Sequence, residues 1–208
     1  MNLYLWLLLI PAVLGGGYLL QSYGRYRFQN KGEALVRDAI ITNLPSDSWH
    51  LLNNITLKLD KGTTQVDHIL VSRFGVFVIE TKHYSGWIFG DANSKDWTQV
   101  IYKKKFRFQN PLRQNFKHLK AVQELLDFIP PEHIFPMVVF TGDATFKTDH
   151  PLGVHTLGSL LLYLKGLNEE LLTENRMQFC VGRLECKRLA LTRMTDVEHK
   201  EHLASRFQ

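Results

Sequence analysis

The stretch from Gly75 to Lys82, "GVFVIETK", carries the residues best placed for chemistry. It reads as a buried strand ending in a carboxylate, Glu80, with Lys82 two residues on. Residues two apart on a strand share a face, so Glu80 and Lys82 project together, about 7 Å apart. The run from Thr63 to Val71 reads as the preceding strand, with Ser72-Arg73-Phe74-Gly75 as the turn. A two-residue loop at Arg73-Phe74, or a four-residue loop from Ser72 to Gly75, gives one register. In it Ile69 lies opposite Val78 and Asp67 opposite Glu80. Directly opposed side chains have Cβ atoms about 5 Å apart, and like charges there are destabilising. A divalent cation would offset that repulsion, and Mg²⁺ commonly binds through one or two carboxylates plus phosphate and water. Lys82 would neutralise the pair in part and could orient or deprotonate a water. A lysine near a cation in a low dielectric titrates below its usual value. Two carboxylates, a metal and a lysine are sufficient parts for phosphodiester hydrolysis. The competing reading is a surface cluster in which Lys82 bridges two acids, because exposed ion pairs are common and weak. A three-residue loop would put Asp67 and Glu80 on opposite faces.

The elements that must position these residues follow from periodicity. Asn30 to about Leu44 reads as a helix, with Val36, Ile40 and Leu44 at helical spacing. Asn30 is its expected N-cap and Glu33 lies three residues on. Trp49 to Leu59 is a strand closed by Asp60-Lys61-Gly62, which completes a three-stranded antiparallel meander with the two strands above. After Gly86, "WIFGD", "WTQVIY" and "KKKFRFQNP" predict a small hairpin hanging off the sheet. Pro111 to Phe128 reads as a helix with Leu112, Phe116, Leu119 and Leu126 on its apolar stripe. "IFPMVVFTG" predicts a short central strand parallel to a neighbour, since a helix precedes it. From Leu157 onward the chain looks mainly helical. The order describes an α/β fold on a mixed sheet.

The chain has 208 residues and a formal net charge of +5. That mildly favours an anionic partner, nucleic acid or an acidic lipid surface. Cys180 and Cys186 fit no metal or redox spacing and read as reduced thiols, Cys180 in a helix core. From Leu3 to Tyr23 no residue is charged, a run long enough to cross a bilayer as a helix. Tyr4 and Trp6 near one end, and Tyr18 and Tyr23 near the other, suit the two interfaces. Pro11 and Gly15-Gly16-Gly17 are tolerated in a spanning helix. A cleaved signal peptide competes, but its first residues hold no Lys or Arg and no clean cleavage site follows; a buried core helix competes as well. Arg25, Arg27 and Lys31 follow the run, which places the remainder in the cytoplasm. The expected layout is an anchor over 1–24, a catalytic-type domain over 28–145 and a mostly helical extension over 146–208 packed on the core. Single-pass attachment to a bacterial-type inner membrane, with the soluble domain in the cytoplasm, is the expected location.

"GEALV", "TQVDHILVSRFGVFVIETKHYSGWIFG", "WTQ" and "NPLRQNFKHLKAV" occur in order between about Lys31 and Thr141. Together they resemble the nuclease-related domain (NERD) family, a branch of the PD-(D/E)xK, restriction-endonuclease-like superfamily. The resemblance implies a restriction-endonuclease-like αβββαβ core, with the N-terminal transmembrane helix and C-terminal helices added to it. It implies Asp67 and Glu80 as metal ligands for Mg²⁺ or Mn²⁺, and Lys82 as the catalytic lysine. It points to Glu33 as a further acid and to Gln114 as a substrate- or water-contacting residue. Val66 stands where the family usually has a proline before the acid. Glu33 could equally be only the capping-box partner of Asn30, and Gln114 only a solvated position. The helix face of Gln114 continues through Lys117 and His118, which suits a phosphate. Lys103, Lys104, Lys105 and Arg107 form a charge run that is either a solvated face or a contact to a nucleic-acid backbone. Trp87 and Trp97 could stack a base or pack on the sheet. His83 and His118 are candidate neighbours of the site, whereas His68 alternates with Asp67 and points to the other face. The implied activity is Mg²⁺-dependent cleavage of nucleic acid, DNA first. The alternative is a membrane-tethered module that binds nucleic acid or protein without cutting.

Overall fold

The computed structural model describes residues 31–189. The expected anchor and the Asn30 cap lie outside these residues. Among the described residues no helix is long and apolar enough to cross a membrane.

The core order is a helix over 31–43 (α1), then β1 (Trp49–Lys58), β2 (Thr63–Ser72) and β3 (Gly75–His83). Next come β4 (Gly86–Phe89), β5 (Asp96–Ile101), β6 (Lys104–Gln109), α2 (Pro111–Leu125) and β7 (Ile134–Thr141). The chain continues through β8 (Ala144–Phe146), β9 (Val154–Thr156), α3 (Leu157–Lys165) and α4 (Glu174–Lys187). Leaving aside β4–β6, the order through β7 is αβββαβ, as expected. The main sheet runs β1-β2-β3-β7-β9. β1, β2 and β3 are antiparallel, while β7 is parallel to β3 and β9 to β7, so the sheet is mixed.

The β2–β3 turn has the parity that the site argument needs. Ser72 pairs with Gly75 around a two-residue loop, and Ile69 pairs with Val78. Gly75 sits at φ 132, and a Cβ there would lie 2.6 Å from Phe135 Cε2 and 2.9 Å from the His133 carbonyl oxygen. Only glycine closes this turn under the neighbouring strand.

Both faces of the sheet are covered. Val36, Ile40 and Leu44 of α1 and Leu160 and Leu164 of α3 pack against Leu70, Phe77, Ile79, Met137 and Val139. Leu119, Val122 and Leu126 of the α2 region and Met177, Cys180 and Leu184 of α4 pack against Ile69, Val71, Val76 and Val78. Cys180 is buried and Cys186 exposed, both as free thiols. Even-numbered residues of β3 therefore face α2, and odd-numbered ones face α1.

Two expectations change here. α2 ends at Leu125, with Leu126 as its C-cap, three residues short of Phe128. Its stripe runs through Asn115, Leu119 and Val122 rather than Phe116, which is exposed. The segments of the predicted hairpin form three strands of a second, four-stranded sheet, β6-β5-β4-β8, in which β8 arrives from beyond β7. The inner face of that sheet, Ile88, Trp97, Phe108 and Phe146, packs on Val138 and Phe140 of β7. Paired residues of parallel strands share a face, so Val138 and Phe140 lie on the same side as their partners Glu80 and Lys82. The small sheet and α2 thus flank the end of β3 on one side of the main sheet.

Candidate active site

Glu80 is 1 % exposed and Asp67 8 %. This rules out the reading of an exposed ion-pair cluster. Lys82 Nζ donates to Glu80 Oε1 at 2.5 Å and to Gln114 Oε1 at 3.0 Å. His118 Nε2 lies 3.1 Å from Glu80 Oε2, and His118 Nδ1 lies 2.7 Å from Thr64 Oγ1. Both oxygens of Glu80 therefore have partners, one from β3 and one from α2.

Asp67 reaches the site through a break in the sheet. The β1–β2 ladder passes from Asn53–His68 to Ile55–Val66 and omits Asn54 and Asp67. The β2–β3 ladder ends at His68–Ile79, one residue before Asp67 and Glu80. Asn54 has a left-handed backbone, φ 52, a conformation Asn tolerates better than most residues. Across this point the side-chain alternation slips by one residue on both strands. Leu52 and Ile55 enter the same cluster, as do Val66 and Ile69. Local breaks of this kind re-aim side chains next to functional sites. Freed from the ladder, Asp67 turns its carboxylate to β3, where Oδ2 accepts the Thr81 backbone N–H at 2.7 Å.

Glu33 arrives from the opposite layer. It follows Gly32, at which a Cβ would lie 2.7 Å from His83 Cβ and 2.9 Å from Thr141 Oγ1. The missing side chain lets α1 press against the end of β3. From there Glu33 feels the charges of Glu80 and Lys82.

The charges act strongly on one another. Burial first, then the Glu80 charge, push Glu33 up to about 7, against the pull of Lys82. Burial, then the charges of Glu80 and Glu33, hold Asp67 well above the usual carboxylate range. Burial works against ionised Glu80 as well, but Lys82 and His118 outweigh it and hold Glu80 low. For Lys82 burial favours the neutral amine, but Glu80 and Asp67 dominate and push it up. Without a cation on the acids, Lys82 thus stands above its usual value, and the lowering expected beside a cation would require those carboxylate charges to be neutralised.

Among the described residues no three or more His, Cys, Asp or Glu side chains gather at metal-ligand spacing. The donor set still fits a hard cation. Asp67 and Glu80 are oxygen donors, and both Asp67 and Glu33 sit where like charges penalise ionisation. Two carboxylates, completed by water and phosphate, suit Mg²⁺. The softer alternatives, zinc or copper, would call for thiolate or imidazole.

The other nominated residues separate. Lys103, Lys104, Lys105, Arg107 and Lys117 are exposed. His118, expected as a nucleic-acid contact, is 6 % exposed and engaged with Glu80 and Thr64, so it positions the acid instead. His83 is hydrogen-bonded to Thr141 at 2.9 Å. His68 faces away and contacts Asn53 Oδ1 at 2.7 Å, as expected. Trp97 is fully buried against Phe140 and is not available to a base, whereas Trp87 is 51 % exposed.

Sequence reasoning missed the residues that aim α2. Asn110 caps the helix, accepting the Leu112 N–H at 2.9 Å, while its amide donates to the Ser94 carbonyl at 2.7 Å. Asn115 is 1 % exposed, and its Nδ2 donates to the carbonyls of Val78 and Met137, both at 2.9 Å. One side chain thus pins α2 to β3 and β7, and sets Gln114 and His118 over the acid. The available signals were an Asn directly before Pro111, and a polar residue inside an apolar stripe.

The family model described as nuclease-related domain matches residues 29–141, which includes every acid of this site. The chain belongs to the nuclease-related domain family. An uncharacterized protein of Bacillus anthracis is 39 % identical over 139 residues. That alignment covers 66 % of this chain and 63 % of the relative, so the chain spans less than two thirds of it. No solved structure matches. The nuclease-related domain supports a nuclease-related function and an interaction with nucleic acid.

Proposed function

We propose that this nuclease-related domain protein is a metal-dependent nuclease that hydrolyses phosphodiester bonds of nucleic acid, DNA first. The observation that carries the reading is a group of mutually repelling acids, the buried Asp67 and Glu80 and the half-buried Glu33, with a lysine on one of them. Asp67 and Glu80 would hold Mg²⁺ or Mn²⁺, with Glu33 assisting from the other layer. The bound ion would polarise the phosphate and lower the pKa of a water. Burial disfavours the Lys82 charge, but Glu80 and Asp67 outweigh it and push the amine up. Its role would be to orient or activate a water, or to neutralise charge building on the phosphate. Gln114 holds the ammonium in place, and Thr64 holds His118 against Glu80. Lys103, Lys104, Lys105, Arg107 and Lys117 would contact the backbone.

The test is cleavage by the purified full chain of single- and double-stranded DNA and RNA, with Mg²⁺, Mn²⁺ or EDTA. Asp67→Ala, Glu80→Ala and Lys82→Ala should each abolish metal-stimulated cleavage. A wild type that cuts none of these substrates with either metal would sink the enzyme reading. A second reading, a module that binds without cutting, draws on the engagement of both Glu80 oxygens by Lys82 and His118. An affinity that depends on salt and survives loss of Asp67, Glu80 and Lys82 would favour it.

The uncharged run from Leu3 to Tyr23, followed by Arg25, Arg27 and Lys31, supports a single-pass anchor in a bacterial-type inner membrane with the domain in the cytoplasm. Resistance of the chain to alkaline extraction from membranes is the expected outcome. Its release with the peripheral proteins would refute the anchor.

A further inference from the structure

Among the described residues, the outer face of the small sheet does not belong to any core. Inward-facing Ile88, Trp97 and Phe146 are packed on β7, so Trp87, Phe89, Thr98, Val100, Lys105 and Arg107 point outward. Trp87 is 51 % exposed and Phe89 37 %. Cross-strand pairing arranges this face in rows. Trp87 pairs with Val100, and Val100 with Lys105. In the next row Phe89 pairs with Thr98, and Thr98 with Arg107. Each ring thus has a cation two strands away, about 10 Å at ordinary strand spacing. That span is comparable to the one between the base and the phosphate of a single nucleotide. Lys147, beyond β8, adds a third cation with its Nζ 4.8 Å from the centre of the Trp87 ring. Against these three cations the strands β4, β5 and β6 place one acid on the face among the described residues, the half-buried Asp96.

We propose that this face is a stacking platform for the unpaired bases of single-stranded nucleic acid. Bases lie on Trp87 and Phe89, and the backbone runs along Lys105, Arg107 and Lys147. Exposed rings at alternate positions of one strand, about 7 Å apart, suit successive splayed bases, and interleaved cations suit phosphates. A duplex keeps its base faces stacked inside and has nothing to offer the two rings. Position supports the role, because β4 begins four residues after Lys82 and β6 leads straight into α2, which carries Gln114. A strand held here is tethered to the elements on both sides of the site. The inference rests on the nucleic-acid reading above but not on cleavage.

The experiment is equilibrium binding by the full chain in mild non-ionic detergent with EDTA present, so that cutting plays no part. Probes are a fluorescent oligothymidylate, a duplex of equal length, and vesicles of anionic lipid. The wild type should bind the single strand more tightly than the duplex. Trp87→Leu and Phe89→Leu should each weaken single-strand binding by about tenfold, from the loss of one base stack, with little change for the duplex. Arg107→Gln should reduce the salt dependence of binding to the single strand. Asp67→Ala should bind like the wild type even if it cannot cut, which separates this inference from the nuclease reading. Equal affinity of wild type and both ring variants for the single strand would overturn the platform. So would binding to the vesicles with none to either oligonucleotide. Full shielding of Trp87 from acrylamide in the free chain would also overturn it, since another part of the chain would then cover the face.

Discussion

Glu33 offers the most direct test of the electrostatic argument. Its carboxyl stands at about 7 in the folded chain against an ordinary value of 4.5, chiefly because of burial and then the Glu80 charge. The folded state therefore holds a proton that the unfolded chain has already lost above pH 4.5. Stability should fall as pH rises from about 4.5 to about 7, and stay reduced above that. At about 1.4 kcal/mol per pH unit the ceiling is about 3 kcal/mol. Glu33 keeps part of its surface in water, so about 1–2 kcal/mol is the realistic expectation. Glu33→Gln keeps the shape and removes the charge. In a domain of this size it should raise Tm by roughly 2–8 °C at pH 8 in EDTA, with the gain shrinking toward zero near pH 5. Mg²⁺ should raise the Tm of the wild type more than that of the variant, because a cation relieves a repulsion that the neutral amide does not feel. Thermal unfolding by circular dichroism from pH 5 to 8, with and without Mg²⁺, reads all of this. A Tm difference that does not change with pH, or a variant less stable than the wild type at pH 8, would refute the reasoning.

Three further outcomes are expected. Gly32→Ala forces a Cβ to within 2.7 Å of His83 Cβ. It should lower stability by about 1–3 kcal/mol, as overpacking does, and reduce cleavage by moving Glu33; an unchanged Tm would show that α1 does not press on β3. Asn115→Ala strips a buried donor from the Val78 and Met137 carbonyls, which should lower stability by about 1–3 kcal/mol in a denaturant titration; a midpoint equal to that of the wild type would mean that this side chain does not hold α2. Burial, opposed by Arg176, pushes the Cys180 thiol up to about 11. At pH 8 a thiol-specific chromogenic reagent should therefore modify Cys186 promptly and Cys180 only after denaturation, and rapid reaction of both would contradict the packing of α4.

Much of the scaffold was legible because local rules set it. The strands β1, β2 and β3 follow from period-two apolar runs and their turns, and the two-residue loop at Arg73-Phe74 fixed which residues face each other. α1 followed from its helical period. The second sheet was not legible, because its fourth strand, Ala144–Phe146, is three residues long and pairs with Gly86, Trp87 and Ile88 far back in the chain. No local pattern announces such a contact. Trp97 and Trp87 looked alike in the sequence, and only the packing of that sheet on β7 buries one and leaves the other in solvent.

By itself the sequence determined the residue types of the site and the hairpin register, Ile69 opposite Val78, that brings the chain at Asp67 alongside β3, since both are properties of a single hairpin. Only the tertiary structure decided how each acid is held. The ladder opens at Asn54 and Asp67, so Asp67 takes a backbone N–H from Thr81 instead of standing in simple opposition to Glu80. α2, pinned by Asn115, sets His118 and Gln114 on Glu80 and Lys82. Gly32 lets Glu33 approach from the opposite layer. The protonation states follow from these arrangements, because desolvation and charge–charge interactions depend on distances between elements that are remote in the chain. That is why Lys82, read from sequence as a lysine that would titrate low beside a cation, is pushed up by Glu80 and Asp67 against its burial.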